Sequence, residues 1–228
     1  HRRRGRRRRR GRVSPLDQLR AGRLPRRLTQ LFIGLWLYGT AMGMLVRSHT
    51  GLDPWDVLHE GVAHRVPLSF GTVVILTGAV VLLLWWPLRQ WPGAGTIANV
   101  LVIGIATDAT LAALPDATGL LDRVALLVGG IVLNGFAGAV YIGTQLGPGP
   151  RDGLMTGLAA RTGASLRLVR TGLELTVLAI GAALGGTVGI GTLLYAVTIG
   201  PVIQAFLPWT TVQLPVRPGS ADDPQGEG

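Results

Sequence analysis

Six long apolar runs dominate the chain, and each is bounded by a short stretch of Gly, Pro or charged residues. The runs approach the roughly 20 consecutive apolar residues that a helix needs to cross a bilayer. The pattern therefore predicts an all-α integral membrane protein with six transmembrane helices. The predicted spans cover residues 28–46, 70–84, 96–114, 124–142, 166–184 and 190–207.

One short stretch of the sequence occurs twice. Residues 51–58 read GLDPWDVL and residues 147–154 read GPGPRDGL, an offset of 96 positions. The same offset continues without a gap far beyond these stretches, which indicates an internal duplication with repeats at residues 26–115 and 122–209. The matched pairs include Arg27/Arg123, Gly34/Gly130, Gly39/Gly135, Gly61/Gly157, Arg65/Arg161, Ser69/Ser165 and Gly104/Gly200.

Each repeat continues after its first span into a Gly- and Pro-broken loop and a short helix. The predicted short helices, residues 57–63 and 153–160, cannot cross a membrane, so we expect broken or re-entrant helices. Asp56 and Asp152 are predicted to cap their N-termini, because Asp is a favoured N-cap. Irregular backbone at membrane depth is tolerated where it lines a cavity, so these two stretches are the first candidates for a site.

The number of spans predicts how the repeats are oriented. Three spans per repeat is an odd number, so the second repeat enters the membrane from the opposite side and the repeats are predicted to be inverted. The positive-inside rule agrees, because the segments on the side of the Arg-rich N-terminus hold more Arg than the others. Both termini are therefore expected in the cytoplasm. The inner Arg residues are Arg89, Arg151, Arg161, Arg167 and Arg217.

The composition adds two polar tails to this picture. The chain of 228 residues is 48% hydrophobic and 15% charged, with a formal net charge of +10 that the first 27 residues account for. Residues 1–25 are predicted to be a disordered, Arg-rich cytoplasmic tail with affinity for anionic lipid. They lack the aromatic residues of a nucleic-acid-binding segment, so no nucleic-acid partner is expected. Residues 215–228 are predicted to be a disordered C-terminal tail.

The sequence offers little to enzyme chemistry. It contains no Cys, and no spacing among its four His residues resembles a set of metal ligands on one helix face, so neither a metal nor another cofactor is expected. No nucleophile with a base, and no acid pair at a fixed spacing, is visible. We therefore do not expect an enzyme.

The two motifs carry a family resemblance. GLDPWDVLH at residues 51–59 and GPGPRDGLMTGL at residues 147–158 resemble the YczE-like branch of the YczE/YyaS/YitT group of bacterial membrane proteins. The resemblance covers about residues 26–208. It implies a polytopic inner-membrane protein of a family without a settled biochemical activity. Some relatives are associated with production or export of secondary metabolites, which implies a transporter.

The motif residues are the first candidates for substrate binding. At equivalent positions Trp55 is replaced by Arg151, which could clamp a carboxylate or phosphate, while Trp55 could cover an apolar or cationic group. Gly147 and Gly149 permit close approach of a ligand to the backbone. The alternatives are that Asp56 and Asp152 are only helix caps and that Arg151 only anchors the inner side of the membrane.

Polar residues within the spans form a second group of candidates. Glu174 lies near the middle of its span, and Arg170 is its predicted partner on the same helix face. Asp108 matches Gln204 in the other repeat, and Asn99 matches Tyr195. These residues either hydrogen-bond the helix bundle together or line a route between the two motifs.

Two classes of function fit these features. The first is a small secondary transporter or exporter of a small molecule, with its sites at the two Gly/Pro-Asp motifs. The second is a non-catalytic membrane scaffold or assembly partner for a biosynthetic or export complex. The lipid bilayer is the expected partner in both cases, and a homodimer is compatible with both.

Overall fold

The computed structural model describes residues 15–214, which form nine α-helices and no β-strand within that range. The short first helix, α1, precedes eight others. Their bounds are α1 Pro15–Arg20, α2 Leu24–Ser48, α3 Pro54–Ala63, α4 Phe70–Trp85, α5 Ala94–Ala113, α6 Leu120–Gly143, α7 Pro150–Thr162, α8 Leu166–Ala183 and α9 Ile190–Thr210.

The duplication in the sequence extends to the helix boundaries. Helices α2, α3, α4 and α5 begin at residues 24, 54, 70 and 94, and α6, α7, α8 and α9 begin 96 positions later, at residues 120, 150, 166 and 190. The caps repeat as well, because the side chain of Ser69 accepts a hydrogen bond at the start of α4 and that of Ser165 does so at the start of α8. Each repeat thus forms one long helix, one short helix and two further helices.

Each short helix packs against a helix of the other repeat. Helix α3 packs on α8 of the second repeat, and α7 packs on α4 of the first. Close approaches occur at equivalent positions: a Cβ atom on Gly153 would overlap the ring of Trp85, and one on Gly181 would lie 2.5 Å from the backbone nitrogen of Leu58. The lack of a side chain at these glycines lets each short helix sit against the opposite repeat.

The loops before the short helices are joined to the opposite repeat in the same way. The amide of Gly95 donates to the carbonyl of Leu146 at 2.9 Å, and the equivalent amide of Gly191 donates to Thr50 at 2.9 Å. Gly51 and Gly147 lie in these loops with φ of +116° and +122°, a conformation that L side chains rarely adopt.

Helices α2 and α6 form the centre of the bundle. They pack against each other, and α5 and α9 cover them from either side. Gly39 and Gly43 form the small-residue face of α2: a Cβ atom on Gly39 would lie 2.5 Å from the carbonyl oxygen of Ile103, on α5. This contact lets the α2 and α5 backbones approach closely.

The outer surface of the bundle is strongly apolar, which suits a lipid environment. Four helices of the described range, α2, α5, α6 and α9, are long and apolar enough to cross a membrane. Helix α4 is apolar but has 16 residues, and α8 has 18 residues including three charged ones, Arg167, Arg170 and Glu174. Examples of the exposed large apolar side chains on the outer surface of the bundle are Trp86, Leu83, Ile190, Leu193, Val197 and Trp209.

The predicted N-terminal tail is partly folded. Residues 15–20, which the sequence assigned to disorder, form α1, and Leu19 packs against the core cluster that includes Leu31. Arg27 fixes this segment, since its guanidinium donates to the carbonyls of Gln18 at 2.7 Å and Thr144 at 2.7 Å, at the end of α6. The predicted tail segments at residues 1–14 and 215–228 lie outside the described residues.

Candidate functional site

A cavity of about 630 Å³ lies between the two repeats. Its wall includes residues of both short helices and of α2, α4, α5, α6, α8 and α9. Five of the predicted site residues line it: Trp55, Gly149, Arg151, Asp152 and Glu174.

The start of α3 differs from the prediction. Asp53, not Asp56, is the N-cap, because Oδ1 of Asp53 accepts hydrogen bonds from the amides of Trp55 at 2.9 Å and Asp56 at 3.1 Å. Pro54 is the first helical residue, where its missing N–H and fixed φ suit a helix start. Asp56 therefore lies within the first turn of α3, with its side chain turned into the protein.

Asp56 is held in a buried polar cluster. Its side chain is 1% exposed, and its Oδ1 lies 2.9 Å from Nδ1 of His59, which is 3% exposed. The other carboxylate oxygen, Oδ2, has no hydrogen-bond partner among the described residues. The ring of His59 is in turn packed edge-on against Phe70 of α4, with 6.1 Å between the ring centroids.

Arg151 reaches from α7 to the start of α3. Its Nη1 lies 3.5 Å from Oδ1 of Asp53, and its Nη2 lies 3.6 Å from Oδ1 of Asp56. The guanidinium carbon lies 5.2 Å from the ring centroid of Trp55, within cation–π range. Trp55 and Arg151, which occupy equivalent positions in the two repeats, are thus in contact. Arg151 also bridges the two short helices.

The start of α7 also differs from the prediction. Gly149 is the N-cap and has no side chain to cap with, so Asp152 is not the cap but a residue of the first turn. Asp152 is exposed to the cavity. Gly147 lies outside the cavity wall, and its carbonyl accepts a hydrogen bond from the hydroxyl of Tyr141 at 2.9 Å.

The predicted pair on α8 is present. Nε of Arg170 lies 2.9 Å from Oε1 of Glu174, and the side chains are 61% and 33% exposed. Both residues line the cavity, together with Asn99 and Tyr195. Glu174 is therefore paired, as predicted, on the side of α8 that faces the cavity.

Asp108 lies away from the cavity. Its carboxylate accepts hydrogen bonds from the amide of Gly71 at 2.7 Å and from the hydroxyl of Ser69, so it joins α5 to the start of α4. The equivalent residue, Gln204, lines the cavity instead. Two matched positions thus have different surroundings.

This difference extends along both helix pairs. Helix α4 is packed along α5, whereas the equivalent helices α8 and α9 do not pack along each other. A Cβ atom on Gly104 would lie 2.5 Å from the carbonyl oxygen of Gly71, but one on the equivalent Gly200 would meet nothing within 4 Å. The α4–α5 pair is closed and the α8–α9 pair is open.

Comparison with known proteins places the chain in a family. Residues 25–208 match DUF6198, described as a family of unknown function. The chain belongs to this family. No solved structure matches the chain.

Named relatives agree with this assignment and confirm the predicted resemblance. The chain is 40% identical over 177 residues to an uncharacterized protein of Haemophilus influenzae, covering 78% of this chain and 81% of the relative. It is 32% identical over 184 residues to the uncharacterized membrane protein YczE of Bacillus subtilis, covering 80% and 86%. It is 24% identical over 180 residues to the uncharacterized protein YyaS of Bacillus subtilis, covering 77% and 90%. This DUF6198 protein is therefore a YczE-like membrane protein.

A second charged cluster in this DUF6198 member lies apart from the cavity. The carboxylate of Asp116, in the loop after α5, lies 2.7 Å from Nε2 of His49 and 2.9 Å from Nη1 of Arg47. The hydrogen bonds from His49 and then Arg47 lower the pKa of Asp116 below its usual value. All three side chains are partly exposed, so this cluster fixes the α2 and α5 ends rather than forming an enclosed site.

Sequence reasoning missed Asp53, His59 and Tyr38, which also line the cavity. For Asp53 a signal was present, because Asp followed by Pro is a typical N-cap and first helical residue. His59 follows Asp56 at the three-residue spacing that places two side chains on one helix face. Tyr38 had no such signal, since it lies in an apolar span.

Proposed function

We propose that the protein is a small secondary transporter of the bacterial inner membrane that binds a small molecule in the cavity between its repeats. In this proposal α2, α4, α5, α6, α8 and α9 are the six spans, α3 and α7 are re-entrant helices, and the repeats are inverted. The proposal assigns the protein no enzymatic activity. One observation carries it: the α4–α5 pair is closed and the equivalent α8–α9 pair is open.

This asymmetry is what alternating access requires. When two inverted repeats surround one site, the conformation of each repeat in one state is the conformation of the other repeat in the opposite state. Two copies of one sequence pattern that adopt a closed and an open form therefore support a cycle in which the forms are exchanged. The two pairs also differ in sequence at this contact, since Gly71 is matched by Arg167, so the second pair would close with a different local contact.

The proposed topology determines which ends of the two helix pairs face the outside and which face the cytoplasm. With both termini in the cytoplasm, the start of α4 and the end of α5 lie toward the outside, and the start of α8 and the end of α9 lie toward the cytoplasm. The closed contact at Asp108, Ser69 and Gly71 is then an outer gate. The open gap beside Gly200 and Gln204 is an inner gate, so the described conformation faces inward.

The cavity offers groups of both signs to a substrate. Arg151, backed by Trp55, and Arg170 can bind an anionic group, while Asp152 and Glu174 can bind a cationic one. Gly149 at the start of α7 leaves the backbone accessible. We assign Asp108 and Gly147 to the closure of the protein around this site rather than to contact with the substrate.

The remaining partners are also proposals. The bilayer surrounds the apolar surface, and the Arg-rich tail adds attraction to anionic lipid of about 1 kcal/mol per Arg near the surface. A homodimer remains compatible with the exposed apolar faces. A non-catalytic assembly partner is the alternative function, which the following experiment distinguishes.

Disulfide crosslinking can compare the two gates, because the chain has no native Cys. The matched pairs are Ser69→Cys with Asp108→Cys and Ser165→Cys with Gln204→Cys. The outer pair is expected to crosslink rapidly in native membranes, since the hydroxyl of Ser69 already hydrogen-bonds the carboxylate of Asp108. The inner pair is expected to crosslink more slowly but to completion, as molecules visit the opposite state.

Single-Cys variants at the same four positions serve as controls for reactivity and for sidedness. Ser69→Cys should be labelled from outside the cell and Ser165→Cys from the cytoplasm. An inner pair that never crosslinks, although each of its cysteines is labelled alone, would favour the rigid scaffold. Labelling of both Ser positions from one face would contradict the inverted topology.

A further inference from the structure

We infer that the carboxyl pair Asp53 and Asp56 binds one exchangeable proton beside Arg151, and that this proton is the coupling ion of the transporter. The second half of this statement rests on the function proposed above. The first half rests on the geometry of the cluster alone.

The charges of the cluster do not balance without a proton. Asp53 is 6% exposed and Asp56 is 1% exposed, and both lie within 4 Å of the same single guanidinium, that of Arg151. Among the described groups that face the pair from the surrounding elements, the only other strong cation is Arg170, and its charge is offset by Glu174, whose Oε1 lies 2.9 Å from Nε of Arg170. These groups are His59 and Glu60 of α3, Tyr38 of α2, Asp152 of α7, Arg170 and Glu174 of α8, and Tyr195 of α9.

The hydrogen bonds decide which carboxyl carries the proton. Oδ1 of Asp53 accepts two backbone amides and faces Arg151, so an ionised Asp53 is well stabilised. Asp56 receives one partner at Oδ1, from His59, and its Oδ2 is buried without a partner among the described residues. An ionised oxygen in that position is far more costly than a neutral hydroxyl, which places the proton on Asp56.

Protonation of Asp56 lowers the free-energy cost of excluding water from the cluster. With Asp56 neutral, Asp53 and Arg151 form an electrically balanced pair that bridges α3 and α7. With Asp56 ionised, one negative charge is left uncompensated and favours a state in which water reaches the pair. Proton binding and release therefore favour different conformations of the two short helices, which is the requirement for coupling.

Infrared spectroscopy of the purified full chain tests the proton site without any ligand. Ordinary Asp and Glu side chains are ionised at about pH 7, so a C=O band of a protonated carboxyl at that pH reports a buried one. We expect such a band in the wild type, its loss in Asp56→Asn and its retention in Asp122→Asn, an exposed carboxylate at the start of α6. Asp56→Glu, which keeps a carboxyl, should shift the band and serves if Asp56→Asn does not fold.

Three outcomes would overturn the inference: a wild type without the band, a band that Asp56→Asn leaves unchanged, and a band that disappears when sodium replaces potassium at fixed pH. The last would mean that a metal cation uses the site. The proposed function fails separately. A band that behaves as expected, together with an inner gate that never crosslinks at any pH, would leave a proton site in a protein that is not a transporter.

Discussion

Replacing Arg151 by Ala is expected to lower the free energy of unfolding by about 3 kcal/mol, because it leaves the buried carboxylate of Asp53 without a counter-ion. Arg151 is the only arginine within ion-pair distance of Asp53 and Asp56 among the described residues. The substitution also removes the cation–π contact between the guanidinium of Arg151 and the ring of Trp55. Denaturation of the purified protein, followed by the helical circular dichroism signal, measures the effect.

Two further variants make this result specific. Arg167→Ala removes an exposed arginine of α8 and should change the stability by no more than about 0.5 kcal/mol. Adding Asp53→Asn to Arg151→Ala should restore most of the loss, since Asn caps a helix about as well as Asp and carries no charge. If Arg151→Ala is no more destabilising than Arg167→Ala, the arginine does not bridge the short helices.

The second large effect concerns the matched glycines Gly104 and Gly200. Gly104→Ala is expected to cost about 1–3 kcal/mol of stability, because the new methyl group enters the closed α4–α5 contact. Gly200→Ala meets nothing in the described conformation and should leave stability unchanged or raise it by about 0.5 kcal/mol. Under the proposed cycle, however, Gly200→Ala blocks closure of the inner gate.

The effect of Gly200→Ala on closure of the inner gate, rather than on stability, distinguishes the proposed transporter from a rigid scaffold. Gly200→Ala should slow crosslinking of Ser165→Cys with Gln204→Cys at least about tenfold, which corresponds to about 1.4 kcal/mol in the closing equilibrium. Gly172→Ala, at another glycine with open space around it, is the control and should leave the crosslinking unchanged. An inner gate that closes equally well with Ala at position 200 would contradict the proposed equivalence of the two gates.

The apolar pattern predicted the helices well and their first residues less well. The predicted span at residues 70–84 is α4, Phe70–Trp85, and the span at residues 166–184 is α8, Leu166–Ala183. The short helices begin three residues earlier than predicted, because Pro54 and Pro150 were interpreted as breaks although proline suits the first position of a helix. This shift moved the predicted cap from Asp53 to Asp56.

The site was less predictable than the helices, for a physical reason. The duplication matched Trp55 with Arg151 as equivalents, but their contact depends on the packing of α3 against one repeat and α7 against the other. Asp108 and Gln204 are equivalent in sequence and differ in surroundings, because one helix pair is closed and the other open. Helix α1 was missed because an Arg-rich composition conceals a short helix whose Leu19 packs on the core.

The exchange of open and closed forms between the two repeats is the central claim, and distances between spin labels in lipid bilayers test it most directly. One pair of labels is placed on α8 and α9 at Leu168→Cys and Ala205→Cys, and the equivalent pair on α4 and α5 at Thr72→Cys and Ala109→Cys. The account predicts two populations for each pair that change in opposite directions, so that a shift of pH that shortens the α8–α9 distance lengthens the α4–α5 distance. Single distances that stay fixed at every pH, with α4–α5 always closed and α8–α9 always open, would contradict it.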